Sequence, residues 1–551
     1  MIPHLFVSIF CLTTGLLVTS ASAQSQPAPR ERTLFNDGWR FQKDDPSGTG
    51  DALGYGKIRE ALLASASGFV DWKIVPRSPA ADAVKLVSYV EPSFDDSSWR
   101  KVNLPHDWGI EGPFDQNLPG ETGKLPWHGV GWYRKDFQVS APDQKKQIYL
   151  QIDGAMSYSA VWLNGKFVGG WPYGYSSYQL DLTPYLQAGE NTLAIRLDNP
   201  KDSSRWYPGS GLYRNVWIVK TNPIHLATWG THITTPKVAA SSASVDIGLR
   251  LLNPTNQKVT LAASIYELDA SGRPGAKPVA SVRLPEDQKS AADGSFHAIL
   301  DVKNPQRWTL GKPQLYLAIT GILTGGALVD RVETTFGIRT IEFTSDNGFL
   351  LNGERVPIQG VCMHHDLGAL GSAFNTRASE RQIQILKEMG VNAIRTAHNP
   401  PAPEFLDLCD RMGILVMDEF SDAWKKRKKP NGYQNMFEDW SEKDIRAMAR
   451  RDRNHPSVIL WSLGNEIPEQ GAPEGPAMQK VLGDFVKKED STRPLTMGVS
   501  DGRAGYNGFQ KGLDVFGYNY KPWEYKKFHE QNPLIPLVGS ETASTLSSRG
   551  E

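Results

Sequence analysis

The spacing of apolar and polar positions changes character twice along the chain. Over residues 33–223, short runs alternate the two kinds of residue and are broken by turn formers, which is the period-two pattern of half-buried strands. Residues 147–152 and 160–163 are two such runs, the second closed by Asn164-Gly165, a dipeptide suited to a tight hairpin. Residues 192–197 form a third. Many strands at this spacing, without long helices between them, predict a β-sandwich of jelly-roll type. Over residues 224–336 the strand texture continues with fewer aromatic residues, and the length suits one immunoglobulin-like β-sandwich. Its clearest strands are 242–252 and 258–268, on either side of a turn at Asn253-Pro254.

From residue 337 to 551 the rhythm becomes strand–helix alternation, which marks parallel α/β structure. Apolar strand candidates are 356–361, 391–396, 414–418, 458–463, 495–499, 515–520 and 535–540. Helical periodicity separates them at 381–389, 403–411, 442–453 and 478–488. Short apolar runs bounded by turns predict a sheet buried on both faces. Polar residues gather at the C-terminal strand ends, where a β/α barrel keeps its site. Seven strands are one short of the eight that close such a barrel. The expectation is therefore a multidomain chain ending in a (β/α)8 TIM barrel truncated after its seventh strand, poorly active and aggregation-prone as it stands.

Composition narrows the function classes. The 551 residues carry 60 Lys+Arg against 60 Asp+Glu, and this balance argues against a nucleic-acid binder or a protein held to acidic membranes. Sixteen Trp supply both packing and stacking surface for ligands. Residues 5–18 are almost wholly apolar or small, and Ala21-Ser22-Ala23 follows as a cleavage pattern. Residues 1–23 therefore read as a signal peptide, predicting export to the periplasm or beyond. No later stretch is long and apolar enough to span a bilayer, so no membrane association is expected after the leader is removed. The residues up to about Arg32 read as a flexible lead-in. Cys11 leaves with the leader; Cys362 and Cys409 have no partner at disulfide-framework or zinc-site spacing and read as small core residues.

Two glutamates end apolar strands, Glu466 after 458–463 and Glu541 after 535–540. Desolvating a carboxylate there is costly, so each is either part of a site, a structural ion pair or a solvated rim residue. Two such groups in one barrel mouth suit glycoside cleavage, one protonating the leaving oxygen while the other attacks the anomeric carbon.

The run Asp452-Arg453-Asn454-His455-Pro456-Ser457-Val458-Ile459-Leu460-Trp461-Ser462-Leu463-Gly464-Asn465-Glu466 resembles the acid/base signature of glycoside hydrolase family 2, which holds β-galactosidases, β-glucuronidases and β-mannosidases. Asn392-Ala393-Ile394-Arg395-Thr396-Ala397-His398-Asn399-Pro400 and Gly360-Val361-Cys362-Met363-His364-His365 are similar to two further barrel motifs of that family. Leu104-Pro105-His106-Asp107-Trp108 and Tyr207-Pro208-Gly209-Ser210-Gly211 match its sandwich texture. The resemblance implies Glu466 as general acid/base and Glu541 as nucleophile of a retaining exo-β-glycosidase. It implies Asn465 on the sugar 2-hydroxyl, Arg395 and Tyr520 on the nucleophile, and His364 and His398 in the sugar pocket. Trp424 and Trp523 follow strand ends and either floor a sugar or pack the core. The metal-dependent β-galactosidases carry a Glu-x-His pair after the third strand; residues 418–425 lack it, so no metal or other cofactor is expected. The basic run 425–429 reads as a solvated loop first and an anion site second. The expected partner is a carbohydrate, with β-galactosides the first specificity and β-glucuronides or β-mannosides the alternatives. Homo-oligomerisation stays open, and a sugar-binding protein without turnover is the alternative of another class.

Overall fold

The computed structural model describes residues 28–73 and 75–544; the expected leader, with Cys11, lies outside the described residues. Two antiparallel sheets form the N-terminal sandwich. One has six strands in the order Arg100–Val102, Trp39–Lys43, Gly129–Val139, Gly189–Asn199, Ser159–Leu163 and Lys166–Trp171. The other runs Arg30–Leu34, Val216–Thr221, Gln147–Ile152 and Tyr178–Asp181. Inward residues of both, among them Trp39, Leu150, Ile152, Leu193 and Ile195, share one core, with Trp132 stacked on Trp162 at 5.5 Å.

Two expectations need correction here. The first strand begins at Arg30, inside the segment expected to be a flexible lead-in, because Arg30 gives two 2.9 Å hydrogen bonds to Asp330 of the second sandwich. A 16-residue helix, Tyr55–Val70, also interrupts the strands. It buries Ile58, Ala61, Leu62, Ala66, Phe69 and Val70, a helical spacing whose small residues give little apolar contrast in the sequence. The helix packs closely on Lys166–Trp171, where a Cβ at Gly169 would lie 2.4 Å from Ser65 Oγ.

The second sandwich pairs a three-stranded sheet (His225–Val238, Ser242–Leu252, Ser295–Lys303) with a four-stranded one (Ala280–Arg283, Thr260–Glu267, Tyr316–Thr324, Ala327–Phe336). Val245, Ile247, Leu249, Ile265, Ala318 and Ile322 fill the space between them. The two strands clearest in the sequence are both present and lie in opposite sheets.

A parallel seven-stranded sheet follows, with its strands in sequence order: β1 Gly360–Met363, β2 Ala393–Thr396, β3 Leu415–Glu419, β4 Val458–Asn465, β5 Leu495–Val499, β6 Phe516–Asn519 and β7 Leu537–Glu541. Every residue of β2 to β6 is buried, as continuous apolar runs require. β1 and β7 are partly exposed and form no ladder with each other among the described residues, although Cys362 Sγ on β1 donates to the Ser540 carbonyl on β7 at 3.3 Å. Helices Thr376–Glu388, Pro403–Met412, Phe437–Asp452 and Gly475–Glu489 cover the sheet where periodicity placed them, and a short one, Tyr525–Gln531, precedes β7. No helix among the described residues is long and apolar enough to cross a membrane.

Buried polar groups join the three units. Asp107 accepts from the amides of Gly109, Ser210 and Ser372 and from the Tyr207 hydroxyl, tying two sandwich loops to the segment after β1. Asp444 accepts from Trp171 Nε1, Ser176 Oγ and Tyr433 Oη at 2.6–2.7 Å, and burial pushes its carboxyl up to about 7. Arg450 donates to the carbonyls of Phe69 and Val70, completing the C-terminal end of the first helix, and lies 3.6 Å over the Trp72 ring. Asn454 bonds the backbone of Thr231 and Ile233 in the second sandwich.

His455, next in the chain, bonds Asp410 at 2.6 Å. Burial opposes its charge, but Asp410, with Asp407 and Asp452 behind it, outweighs burial and raises the imidazole to about 9. A raised folded-state value means stability that is fully present below the unfolded value near 6.5 and lost as pH rises through about 9. His455→Gln should therefore lower the melting temperature at pH 6, by up to roughly 3 kcal/mol in free energy. The gap to wild type should narrow by pH 9.5. Calorimetric melts at the two pH values check this, and a constant gap would show that the pair is not ionic.

Candidate functional site

A cavity of about 810 Å³ runs through the barrel from the start of the strands, at Gly360, Ala393 and Ile459, to their C-terminal ends. Arg395 (β2), Asn465 (β4), Glu466, Tyr520 and Glu541 (β7) line it, with His364 and His398 from the segments after β1 and β2. All seven were expected from the sequence to share a pocket.

Arg395 organises this group. Its Nη1 donates to Glu541 Oε1 at 2.6 Å, and Nε and Nη2 each donate to Glu419 at 2.9 Å. Nη2 also reaches Asn465 Oδ1 at 2.9 Å. Beneath it, fully buried Glu419 accepts from Ser462 Oγ at 2.6 Å and meets His398 Nδ1 at 2.8 Å. Burial pushes the Glu541 carboxyl up, but the Arg395 charge, the Tyr520 hydroxyl and His398 outweigh it and hold the group below its ordinary value. Glu466 sits differently, its Oε1 accepting from the neutral amide of Asn519 at 3.2 Å. Asn519 is held in turn by Ser540 Oγ, which donates to its Oδ1 at 2.6 Å.

Local backbone geometry aims these groups. Glu466 (φ 43°) and Tyr520 (φ 55°) are in the left-handed region, which costs a side-chain-bearing residue about 1–3 kcal/mol. Register shifts precede both, between Ser462 and Asn465 on β4 and between Tyr518 and Asn519 on β6. Gly498 at the end of β5 leaves room for the network, since a Cβ there would lie 2.5 Å from Arg395 Nη2.

The sandwich supplies part of the wall. Arg205 and Trp206 line the cavity, and the Trp206 ring lies 4.7 Å from His364, which is itself 5.3 Å from His398. Burial, with His398 adding to it, lowers the His364 imidazole to about 4, so its ring is neutral at pH 7. Asp422 gathers Arg205 at 2.6 and 2.8 Å, Lys428 at 3.0 Å and Asn465 Nδ2 at 2.9 Å. Burial opposes its ionisation, but Arg205 and Lys428 hold it well below the carboxylate range.

Several expectations change. Trp424 is 0 % exposed and donates Nε1 to the Leu463 carbonyl at 2.9 Å; it packs the core and offers no face to a sugar. Trp523 is 69 % exposed at the end of β6. Cys409 is a core residue as expected, whereas Cys362 is exposed to the cavity, because β1 borders it. In the basic run, Lys425 and Lys426 do form exposed pairs with Glu438 and Glu474, but Lys428 folds inward and donates to Asp422 and to the Asn465 carbonyl. His365 turns away to Pro208, and among the described residues no three His, Cys, Asp or Glu side chains converge as they would on a metal ion.

Sequence reading passed over Arg205, Trp206, Glu419, Asp422 and Asn519. Glu419 and Asp422 lie in the stretch 418–425 that lacks the metal pair, and Asn519 directly precedes Tyr520. Arg205 and Trp206 directly precede the Tyr207-Pro208-Gly209 motif, but no spacing within the barrel points to them.

Known proteins share this arrangement of domains. A family model described as the TIM barrel domain of glycosyl hydrolases family 2 matches residues 342–533. The model described as glycosyl hydrolases family 2 matches 225–339, and the galactose-binding-like domain of glycosyl hydrolase 2 matches 116–207. The chain is 41% identical over 569 residues to the β-galactosidase BoGH2A of Bacteroides ovatus, covering 96% of this chain and 61% of that protein. A β-glucuronidase of Bacteroides fragilis is 28% identical over 72% of this chain and 57% of its own length. The crystal structure of a glycosyl hydrolase family 2 member from Bacteroides cellulosilyticus superposes with a TM-score of 0.79 at 34% identity, covering 92% of this chain and 61% of that one. The chain thus spans a little under two thirds of the first of these relatives. Three consecutive family matches, in the order in which the two sandwiches and the barrel are built, show that this chain belongs to glycoside hydrolase family 2.

Proposed function

We propose that the protein is an exported retaining exo-β-glycosidase that hydrolyses terminal β-galactosides. The observation that carries this reading is the unequal setting of two carboxyl groups on one cavity. Glu541 is held ionised by Arg395, while Glu466 faces a neutral amide. Such a pair divides nucleophile from proton donor. Glu541 attacks the anomeric carbon as Glu466 protonates the leaving oxygen, giving a covalent glycosyl-enzyme. Glu466 then takes a proton from the water that releases the sugar, and the anomeric configuration is retained. Asn465 engages Asp422 through its amide nitrogen, which keeps a second hydrogen for the sugar 2-hydroxyl. The leader-like residues 1–23 support export, and the relative named as a β-galactosidase supports the sugar.

A second reading, a β-glucuronidase, is favoured by Arg205 and Lys428 beside the cavity and by the relative of that name. Against it, both cations are already engaged by Asp422. Initial rates on nitrophenyl β-galactoside, β-glucuronide and β-mannoside decide among the sugars. The galactoside should lead; a chain that binds but turns over none of the three would be a sugar-binding protein.

The two roles separate by mutation. Glu541→Gln should bring every substrate to background, because nothing else attacks the anomeric carbon. Glu466→Ala should lose roughly 10²–10⁴-fold on alkyl glycosides and far less on dinitrophenyl glycosides, whose leaving groups need little protonation. Azide should restore the second step in Glu466→Ala. Equal losses for both variants on every substrate would overturn the assignment.

Hydrolysis should also persist in EDTA, since the acid, the nucleophile and its cation are all side chains. Inactivation by the chelator with recovery on magnesium would contradict this.

A further inference from the structure

Glu419 takes no part in the scheme above, yet it holds more of the site's hydrogen bonds than either carboxyl on the cavity. It accepts twice from Arg395, once from Ser462 Oγ, and bonds His398 Nδ1. At 0 % exposure it cannot touch a substrate. We infer that Glu419 is a positioning residue that shares the Arg395 charge with Glu541, so that the nucleophile is aimed by a guanidinium without being neutralised by it. The inference rests on the assignment of Glu541 as nucleophile.

Charge in a buried place has to be counted group by group. Arg395 with Glu541 alone would be a neutral pair, and a neutral pair does little for a sugar ring gaining positive charge. Arg395, Glu419 and Glu541 by themselves sum to one net negative charge, which reaches the cavity through Glu541, and His398 touches both carboxyls from the side. Geometry supports the division, because Glu419 takes two guanidinium nitrogens from below and leaves Nη1 to aim Glu541. The bond to His398 Nδ1 fixes that ring also, leaving Nε2 toward Glu541 at 3.9 Å.

Other ionisable groups surround the pair. Facing Glu541 are Cys362 from β1, His364 after β1, His398 after β2 and Tyr520 after β6, and Glu466 after β4 shares its cavity. Arg205, from the sandwich, acts on both Glu466 and Glu541 and is already paired to Asp422, as is Lys428. None of these bonds Arg395 as a second anion except Glu419, so removing the Glu419 charge changes what the guanidinium presents to Glu541.

Glu419→Gln should move the Glu541 titration to lower pH by about one unit, because an unshared Arg395 favours its ionised form more strongly. Carboxyl ¹³C NMR of the full chain labelled at glutamate reads this directly, with the signal assigned by Glu541→Gln. Repeating the comparison in a His398→Gln background removes the imidazole that Glu419 also holds, and the downward shift should persist. The acid limb of kcat/KM should move the same way, with kcat lower by roughly 10–100-fold and KM changed much less. A purely structural role would lower activity without moving the titration. An unmoved or raised Glu541 titration overturns the inference. If Glu419→Gln gives no cooperative melt, Glu419→Asp takes its place. By withdrawing the charge from Arg395, it should shift the titration downward by less, and no shift again overturns the inference. Absence of turnover in wild type would refute the proposed activity, while the NMR titration still decides the role of Glu419.

Discussion

The site depends on one buried ion pair. Arg395 and Glu419 meet through two hydrogen bonds between adjacent strands, both side chains almost fully excluded from water. An isolated charge there would cost several kcal/mol, so each requires the other. Once joined, they leave one guanidinium nitrogen for Glu541, one ring orientation for His398 and one amide orientation for Asn465. The charges are few, and every one of them has a direction.

That pair needs a rigid surround, and much of it comes from outside the barrel. Trp206 and Arg205 reach the cavity from the first sandwich, and Asp107 fastens the sandwich to the segment that follows His364 and His365. Asp444 and Arg450 lock the Phe437–Asp452 helix onto the same sandwich. The contacts of Asp107, Asp444 and Arg450 are polar, and each of these groups is buried and satisfied by several donors or acceptors. Such contacts hold one geometry where apolar surfaces alone would tolerate several. The chemical groups are therefore set by the barrel, and their spacing from the opposite wall by the sandwich.

Among the described residues from β1 to β7, the side-chain-bearing positions with left-handed backbone angles are Glu466 and Tyr520, both at the mouth and both next to register shifts, while the strands β2 to β6 beneath them are buried. The side chains that must point into the cavity are thus placed by local irregularity on a buried support. The run from Asp452 to Glu466 shows both sides of this. Asn454 docks on the second sandwich, His455 pairs with Asp410, the apolar middle is strand, and Asn465 and Glu466 bring its polar groups to the cavity that Ile459 and Leu460 also line. One contiguous motif serves docking, core and chemistry in turn.

Periodicity alone carried most of the fold. Seven apolar runs became seven parallel strands, with Leu495–Val499 keeping its bounds, because a strand buried on both faces has to be apolar throughout. Motif residues at the strand ends carried the carboxyls, Arg395 and the histidines into one cavity. The rest depended on contacts distant in the chain. The Tyr55–Val70 helix was hidden because Leu63, Ala64, Ser65, Ser67 and Gly68 on its other side give little polar contrast to Ile58, Leu62 and Phe69, and glycines on the facing strand admit it. Of the two places open to Trp424 the core is the one it takes, the indole bonding a carbonyl there, while Lys428 leaves the solvated loop for a half-buried carboxylate. Arg205 and Trp206 carry no local signal of their role, and Glu419, which closes the apolar run 414–418 as Glu466 and Glu541 close theirs, is told apart from them only by its contacts. A side chain's place in a site is set by what folds against it, and in this chain those partners lie as many as 217 residues apart, as between Arg205 and Asp422.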